Sequence, residues 1–585
     1  MTRGSAVAEA VPGLGMVRTY RREWLISDVV AGLVLTTLLV PQGMAYAELA
    51  GMPPITGLYT TVMALLAYAA FGPSRVLVLG PDSSLGPMIA ATLLPLVASD
   101  GDPERAVAYA SMLALMVGAI TVLAGVFRLG FVADLLSRPT QIGYMNGLAL
   151  TILGGQLPKL FGFSVDADTL LGEMVGFVEH LVDGATLAVA LAVGLASLAV
   201  ILTCQRVFPR VPGVLVAVVL TIGAVNVFDL VGRGVDVVGP MPQGFPPFTL
   251  PHVPLGDLTI LFAGALGISL VALTDTISTA SVFAARRGEE VDGDREMIGI
   301  GAASLAAGLF QGFPVSTSGS RTAVAAQNGG KTQVTGLVGA TAIIAMLLLT
   351  PGLLADLPQP ALAAVVIAAS LSLADIAGLR RLRRQRTSDF WLAIAAFLGV
   401  AFLGVLPGIA IAIGLSIANV FRRAWWPHQA VLGRVQGMAG YHDTAFHPTM
   451  RHLPGLVIYR FDAPLFFANA RAFRDQVRHL ADSTPRPTWI LVAAEPITDV
   501  DTTAADMLAD LDAELDAKGI SLAFAELKDP VRRRIERYNL TDAIEPRLFF
   551  ATLNEAVEAY RTRTGAAWTP GPSSHTLRQH GGDGR

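Results

Sequence analysis

Nine residues, all but Gly319 polar or charged, interrupt apolar stretches of this chain at spacings that give them chemistry. Gln42 and Tyr46 are four apart, just after Pro41, so one helical face carries an amide and a phenol. They can complete hydrogen bonds to a ligand, or satisfy backbone groups that the proline frees. Asp82 and Ser83, with Ser84 behind them, follow Gly80-Pro81, and Ser318, Gly319 and Ser320 precede Arg321. Each cluster opens a short helix-like run after an extended stretch, with Pro81 suited to the first helical turn. A helix start offers unpaired N–H groups and the positive end of the helix dipole, a natural anion site. Arg321 opposes that dipole and calls for a negative partner. The partner is either a bound anion or Asp82 in a structural ion pair, because a lone charge at membrane depth is costly. Asp275 lies in the apolar run from Gly264 to Thr279, and the Thr279 hydroxyl shares its helical face. Carboxylate, hydroxyl and loop carbonyls together suit a hard cation such as Na+, or a proton. Asp275 could instead pair with Arg321 or cap neighbouring backbone. Glu48 lies on another face, nearer the exterior end, and receives no role.

These residues need elements that bring two breaks together inside lipid. The breaks, 75–84 and 313–322, sit one in each half of a chain that is 53% hydrophobic and 15% charged, with mean hydropathy +0.56. A broken span survives in a bilayer only where it is buried or lines a cavity, and paired breaks point to a substrate site between half-helices. A crossing helix needs about 20 apolar residues. Fourteen candidate spans fall near 25–45, 55–71, 82–98, 106–127, 139–160, 184–206, 212–230, 257–284, 295–311, 319–328, 333–350, 360–375, 388–405 and 407–422. The run 319–328 is too short to cross alone. Arg128 and Arg138, Arg206 and Arg210, and the cluster from Arg380 to Arg386 follow even-numbered spans, while connections after odd-numbered spans are neutral or acidic, with Arg105 and Arg233 as minor exceptions. Basic residues stay on the cytoplasmic side, so both termini are expected in the cytoplasm. No signal peptide is legible, and the lone Cys204 allows no intramolecular disulfide.

From about residue 441 the apolar runs shorten to strand length. Leu456–Tyr459, Trp489–Ala493 and Ser521–Ala525 read as buried strands, with helices near 468–480, 502–518 and 529–537, a small α/β layer domain. The expected division is a cytoplasmic segment 1–23, a transmembrane domain 24–424, a linker 425–440, a soluble domain 441–562 and a disordered tail 563–585. No Ser-His-Asp array, metal-spaced Cys/His cluster or phosphate-binding glycine loop appears, so no enzyme, cofactor or nucleic-acid partner is expected.

Together these residues resemble the SulP anion-transporter family, the sulfate permeases and their animal solute-carrier relatives. The run Pro41-Gln-Gly-Met-Ala-Tyr-Ala-Glu-Leu-Ala-Gly-Met-Pro-Pro-Ile-Thr-Gly-Leu-Tyr59 is similar to the family signature. Gly72-Pro-Ser-Arg75, Val78-Leu-Gly-Pro81 and Gly329-Gly-Lys-Thr-Gln-Val-Thr-Gly336 extend it. The resemblance covers roughly 20–560. It implies a polytopic α-helical membrane protein of fourteen transmembrane segments in a 7+7 inverted repeat, with a core domain moving elevator-fashion against a gate domain, usually as a homodimer. The first to fourth and eighth to eleventh spans would form the core. The anion would sit between the third and tenth spans, at Gln42, Tyr46, Ser320 and Arg321, and Asp275 and Thr279 match the sodium site of bicarbonate-transporting members.

Asp82 departs from the family pattern, where many relatives carry an uncharged residue. A carboxylate beside an anion repels it unless protonated or paired, which favours proton-coupled symport. The tail resembles a STAS domain, marked by Ile497-Thr-Asp-Val-Asp-Thr-Thr-Ala-Ala505, though Ala504 replaces the usual glycine. Thr503 matches a position phosphorylated in some anti-sigma-factor antagonists and could also cap its helix; a cytoplasmic regulator is an expected partner. The implied function is secondary active anion uptake across the cytoplasmic membrane, sulfate ahead, with a proton or sodium as coupling ion. The alternatives are sodium-coupled bicarbonate or dicarboxylate transport, a nucleobase carrier, or a non-transporting STAS signalling scaffold.

Overall fold

The computed structural model describes residues 11–97, 102–131, 136–165, 167, 169–208, 211–285, 287–435, 437–447, 450–540 and 544–570. Residues 571–585, most of the expected disordered tail, lie outside them. The chain divides into two units, 1–416 and 417–585.

Among the described residues the regular structure of the first unit is helical apart from one two-stranded ribbon. In chain order it runs α1 (Pro12–Thr19), α2 (Leu25–Leu49), α3 (Pro54–Phe71), β1 (Leu79–Gly80), α4 (Gly86–Val97), α5 (Pro103–Val126), α6 (Arg138–Phe161), α7 (Leu170–Val182), α8 (Ala188–Val207) and α9 (Gly213–Phe228). There follow α10 (Leu258–Ala285), α11 (Gly293–Leu309), β2 (Ser316–Thr317), α12 (Gly319–Gln327), α13 (Val334–Leu349), α14 (Gln359–Leu373), α15 (Ile376–Gln385), α16 (Thr387–Leu403) and α17 (Val405–Trp425). Each of the fourteen apolar segments contains one helix. Among the described residues seven helical stretches are long and apolar enough to cross a membrane, including Pro103–Val126 and Val405–Trp425, and four apolar helices are shorter.

Packing sorts the helices. α11 lies against α5 and α3, and α13 against α2 and α3, whereas α6 packs on α16 and α14, and α8 on α14 and α9. The α2–α3 contact is backbone-close: a Cβ on Gly57 would stand 1.9 Å from the Gly43 carbonyl oxygen. Small residues allow such approaches where lipid gives no hydrophobic drive for association. The arginine-bearing stretch expected as a plain connection forms α15. Leu379 and Leu382 on that helix pack against Ile142 and Ala393, leaving the arginines outward. The first and second clusters are joined along α2, which meets α14.

The second unit holds a six-stranded mixed sheet with helices. Its elements are β3 (Gln429–Gly433), β4 (His442–Asp443), β5 (Arg451–His452), β6 (Leu456–Phe461), α18 (Ala470–Ala481), β7 (Trp489–Ala493), α19 (Thr502–Ala517), β8 (Ser521–Ala525), α20 (Asp529–Arg537), β9 (Phe549–Phe550), α21 (Leu553–Thr564) and β10 (Thr569–Pro570). Strand order is β4-β3-β6-β7-β8-β9, parallel from β6 to β9 and antiparallel at β3 and β4. Two expectations are corrected. The stretch 425–440 is not a bare linker, because β3 pairs with β6 within the sheet. Order also runs past 563: α21 ends at Thr564, and β10 pairs with β5.

Candidate functional site

The two breaks meet. β1 and β2 pair antiparallel, with Leu79 opposite Thr317 and Gly80 opposite Ser316. The Ser318 N–H donates to the Val78 carbonyl at 3.1 Å, and the Val78 N–H donates to Thr322 Oγ1 at 3.1 Å. Backbone groups that the broken spans could not satisfy alone are thereby paired with each other. The same pairing brings the starts of α4 and α12 to one place.

Each start is organised by short polar side chains. Asp82 Oδ2 accepts from the Ser84 N–H at 3.0 Å and from Ser84 Oγ at 2.8 Å. The Leu85 and Gly86 amides turn onto the Asp82 carbonyl. α4 therefore begins at Gly86, and Pro81 is not in its first turn as expected: it ends the extended strand, where its carbonyl is engaged elsewhere. Ser318 is the N-cap of α12, accepting from the Arg321 N–H at 3.5 Å, and its hydroxyl is 3.1 Å from Ser320 Oγ. Thr317 Oγ1 donates to Thr276 Oγ1 at 2.9 Å, tying the second break to α10 beside Asp275.

A cavity of about 480 Å³ opens in front of these starts. Gln42 and Tyr46 line it from α2, Asp82 and Ser83 from the first break, Gly319 and Ser320 from the second, and Asp275 and Thr279 from α10. Gln141 on α6, Gln205 on α8 and Val365 to Leu373 on α14 close the opposite wall. Gln42 Oε1 is buried and has no hydrogen-bond partner among the described residues. Gln141 Nε2 donates to Asp275 Oδ1 at 3.3 Å. The lining holds two carboxylates and no Lys, Arg or His among the described residues.

Arg321 is the exception among the nine residues singled out from sequence. It is fully buried behind the ribbon and does not line the cavity. Its Nη2 donates to the Pro81 carbonyl at 2.6 Å and stands 3.8 Å from Asp82 Oδ1. The structural ion pair is thus the geometry observed, and it corrects the placement of Arg321 as a group facing the ligand. The physical reason is direction: a first-turn residue after a strand crossing points under the partner strand. Gly80 makes room for it, since a Cβ there would lie 3.2 Å from Arg321 Nη1. No Asp275–Arg321 ion pair is present among the described residues.

Thr503 is exposed in the first turn of α19, but it is not the cap. Asp501 caps that helix, accepting from the Ala504 N–H at 2.8 Å and also from the Phe467 N–H at 2.8 Å.

Sequence reasoning missed Gln141 as the partner of Asp275. Its signal was present, an amide within an otherwise apolar span. It also missed Asp28, buried near the start of α2. Asp28 accepts from the Lys331 N–H at 2.6 Å, the Thr332 N–H at 3.2 Å, Thr332 Oγ1 at 2.7 Å and Thr335 Oγ1 at 3.2 Å.

Comparison with known proteins places this arrangement. Residues 25–396 match the model of the sulfate permease family and residues 447–556 that of the STAS domain. The chain belongs to the sulfate permease family. It is 42% identical over 555 residues to a "Probable sulfate transporter" of Mycobacterium tuberculosis, covering 94% of this chain and 98% of that one. It is 30% identical over 568 residues to "Sulfate transporter 4.1, chloroplastic" of Arabidopsis thaliana, covering 94% and 82%. In fold it is similar to the murine Solute Carrier 26 family member A9 anion transporter in the inward-facing state, with TM-score 0.88 and 22% identity over 96% of this chain and 95% of that one. The transmembrane domain of the cyanobacterial bicarbonate transporter BicA gives a TM-score of 0.58 at 21% identity, over 68% and 98%. The family member described here is accordingly a multi-pass membrane protein with a helical transporter unit and a C-terminal STAS domain.

Proposed function

We propose that this chain carries sulfate, ahead of bicarbonate and small dicarboxylates, across the cytoplasmic membrane together with a proton or a sodium ion. The observation that carries the reading is the cavity between the starts of α4 and α12. Two helix starts with their dipoles, and the hydroxyls of Ser83 and Ser320, converge on one space large enough for a tetrahedral oxyanion. A neutral nucleobase would gain little from this field.

The lining carboxylates support symport over simple exchange. Asp82 is tied to Arg321, whereas Asp275 accepts from the Gln141 amide and meets no basic side chain in the cavity lining among the described residues, and its charge repels an arriving anion. A proton on the carboxylate, or Na+ held by Asp275 and Thr279, removes that repulsion, so cation and anion favour each other's binding. The cavity also supports relative motion of two parts: one wall comes from α2, the two breaks, α10 and α12, the other from α6, α8, α9 and α14. Its α14 wall ends at Leu373, close in sequence to the arginines of α15, and its α8 wall at Gln205, next to Arg206. Basic ends mark the cytoplasmic side, so the cavity is read as inward-open with both termini in the cytoplasm.

The test is labelled sulfate uptake into sodium-free proteoliposomes with and without an inward proton gradient. Gradient-driven accumulation lost in Asp275→Asn supports proton symport. Uptake only with sodium moves the coupling to the Asp275–Thr279 site, and no sulfate uptake by folded, reconstituted protein removes sulfate as substrate.

A further inference from the structure

A second cavity, of about 560 Å³, lies at the other ends of the helices that wall the first. Glu48, in the last turn of α2, and Gln359, in the first turn of α14, both line it, and Lys159 and Asp236 stand in its wall. Gln359 Nε2 donates to Glu48 Oε1 at 2.9 Å. Among the described residues this is the one side-chain hydrogen bond between α2 and α14.

The two cavities share walls but not space. On α2, Tyr46 faces the first cavity and Glu48 the second, with buried Ala47 between them. On α14, Gln359 faces the second and Val365 the first, and Ala361, Leu362, Ala363 and Ala364 between them are buried. A plug of four residues, 361–364, separates Pro360 in the second lining from Val365 in the first, roughly 7.5 Å along α14. Gln359 is fixed from its own side: its N–H donates to the Asp236 carbonyl at 2.9 Å, and Val238 N–H donates to the Leu357 carbonyl at 3.0 Å. The amide is therefore presented by a braced segment to a carboxylate on the opposing helix.

We propose that the Glu48–Gln359 bond is the external latch of the transporter, holding α2 against α14 while the first cavity is open to the cytoplasm. It rests on the transport reading above, because a latch has meaning only if the first cavity opens alternately to both sides. Glu48 and Gln359 are positioning residues: they touch no substrate in this state and set which side is sealed. A carboxylate–amide bond is charge-assisted, so its loss shifts the balance between inward-open and outward-open states on the order of tenfold.

The test uses the full-length protein with Cys204→Ser and Ala369→Cys, which puts one thiol in the wall of the first cavity. Membrane-impermeant maleimide is applied at pH 8 to right-side-out and to inside-out vesicles. Gln359→Leu is expected to raise labelling from outside about tenfold and to slow it from inside. Gln359→Glu, isosteric but repelling Glu48, does the same and serves if the leucine variant does not reach the membrane. Glu48→Gln keeps an acceptor but not the charge, and is expected to shift the rates in the same direction by less than either Gln359 variant. Rates within twofold of the parent in both Gln359 variants would overturn the latch. Labelling needs no substrate, so absence of sulfate uptake by the parent removes the substrate reading alone, and uptake with unchanged labelling removes the latch alone.

Discussion

Removing Arg321 and Asp82 singly and together separates an arginine kept for its ion pair from one kept for the transported anion. At 3.8 Å between Arg321 Nη2 and Asp82 Oδ1, two unit charges attract by about 4 kcal/mol at an effective dielectric of about 20. The Arg321 side chain is 0% exposed and that of Asp82 13%, so solvent screens the pair little. Asp82→Asn keeps the shape of the turn but leaves a buried guanidinium whose one described hydrogen bond goes to the Pro81 carbonyl, with Nε and Nη1 unpartnered. Arg321→Met leaves the carboxylate without its counter-charge. Each single change is expected to cost about 3–5 kcal/mol, the usual loss when one member of a buried pair is removed. The double variant is expected to cost less than the two singles summed, by about 3 kcal/mol. The assay is reversible unfolding of the four purified proteins in mixed detergent micelles. A coupling energy under about 1 kcal/mol would refute the reasoning, and a larger effect of Arg321→Met on sulfate affinity than on stability would return Arg321 to the ligand.

Three further outcomes follow from local geometry. Asp28→Ala strips the acceptor from backbone and hydroxyl donors at Lys331, Thr332 and Thr335; a loss of about 3 kcal/mol or more is expected in the same unfolding assay. Gly57→Ala drives a methyl into the Gly43 carbonyl and should cost about 1–3 kcal/mol or prevent folding, whereas Gly223→Ala, with open space around it, should change yield and stability little. In the STAS domain, burial, with Asp516 and Glu545 nearby, pushes the Asp512 carboxyl up to about 6 from 3.8. A raised carboxyl pKa contributes stability fully present below pH 3.8 and lost as pH rises through about 6. Asp512→Asn should therefore stabilise α19 at pH 7.5, by up to about 3 kcal/mol, and have much less effect at pH 4.5; hydrogen exchange of that helix, corrected for intrinsic rates, reads the difference.

Much of the architecture was legible because lipid and parallel sheets both impose simple patterns. Glycine, proline and serine clusters inside apolar runs marked both breaks, since nothing else in a span tolerates them. The buried strands β6, β7 and β8 showed as short apolar runs for the same reason that parallel strands are covered on both faces. Eight of the nine intramembrane residues singled out line one cavity, because polarity at that depth must face a cavity or a partner. What stayed hidden depends on contacts distant in sequence. Nothing local says that β1 pairs with β2, so the direction of Arg321, under the ribbon and toward Pro81, could not be read. The antiparallel strand β3 looked like linker because its partner β6 lies beyond a long excursion. α15 read as a basic connection, since its two leucines have meaning only against Ile142 and Ala393.

The central claim is that an anion is held between the starts of α4 and α12. Anomalous diffraction from crystals equilibrated with selenate, a heavy sulfate analogue, tests it directly. A peak is expected in the 480 Å³ cavity, within hydrogen-bond reach of the Ser83–Ser84 and Gly319–Ser320 segments, and weakened by excess sulfate. A sulfate-displaceable peak elsewhere, with this cavity empty, would contradict it.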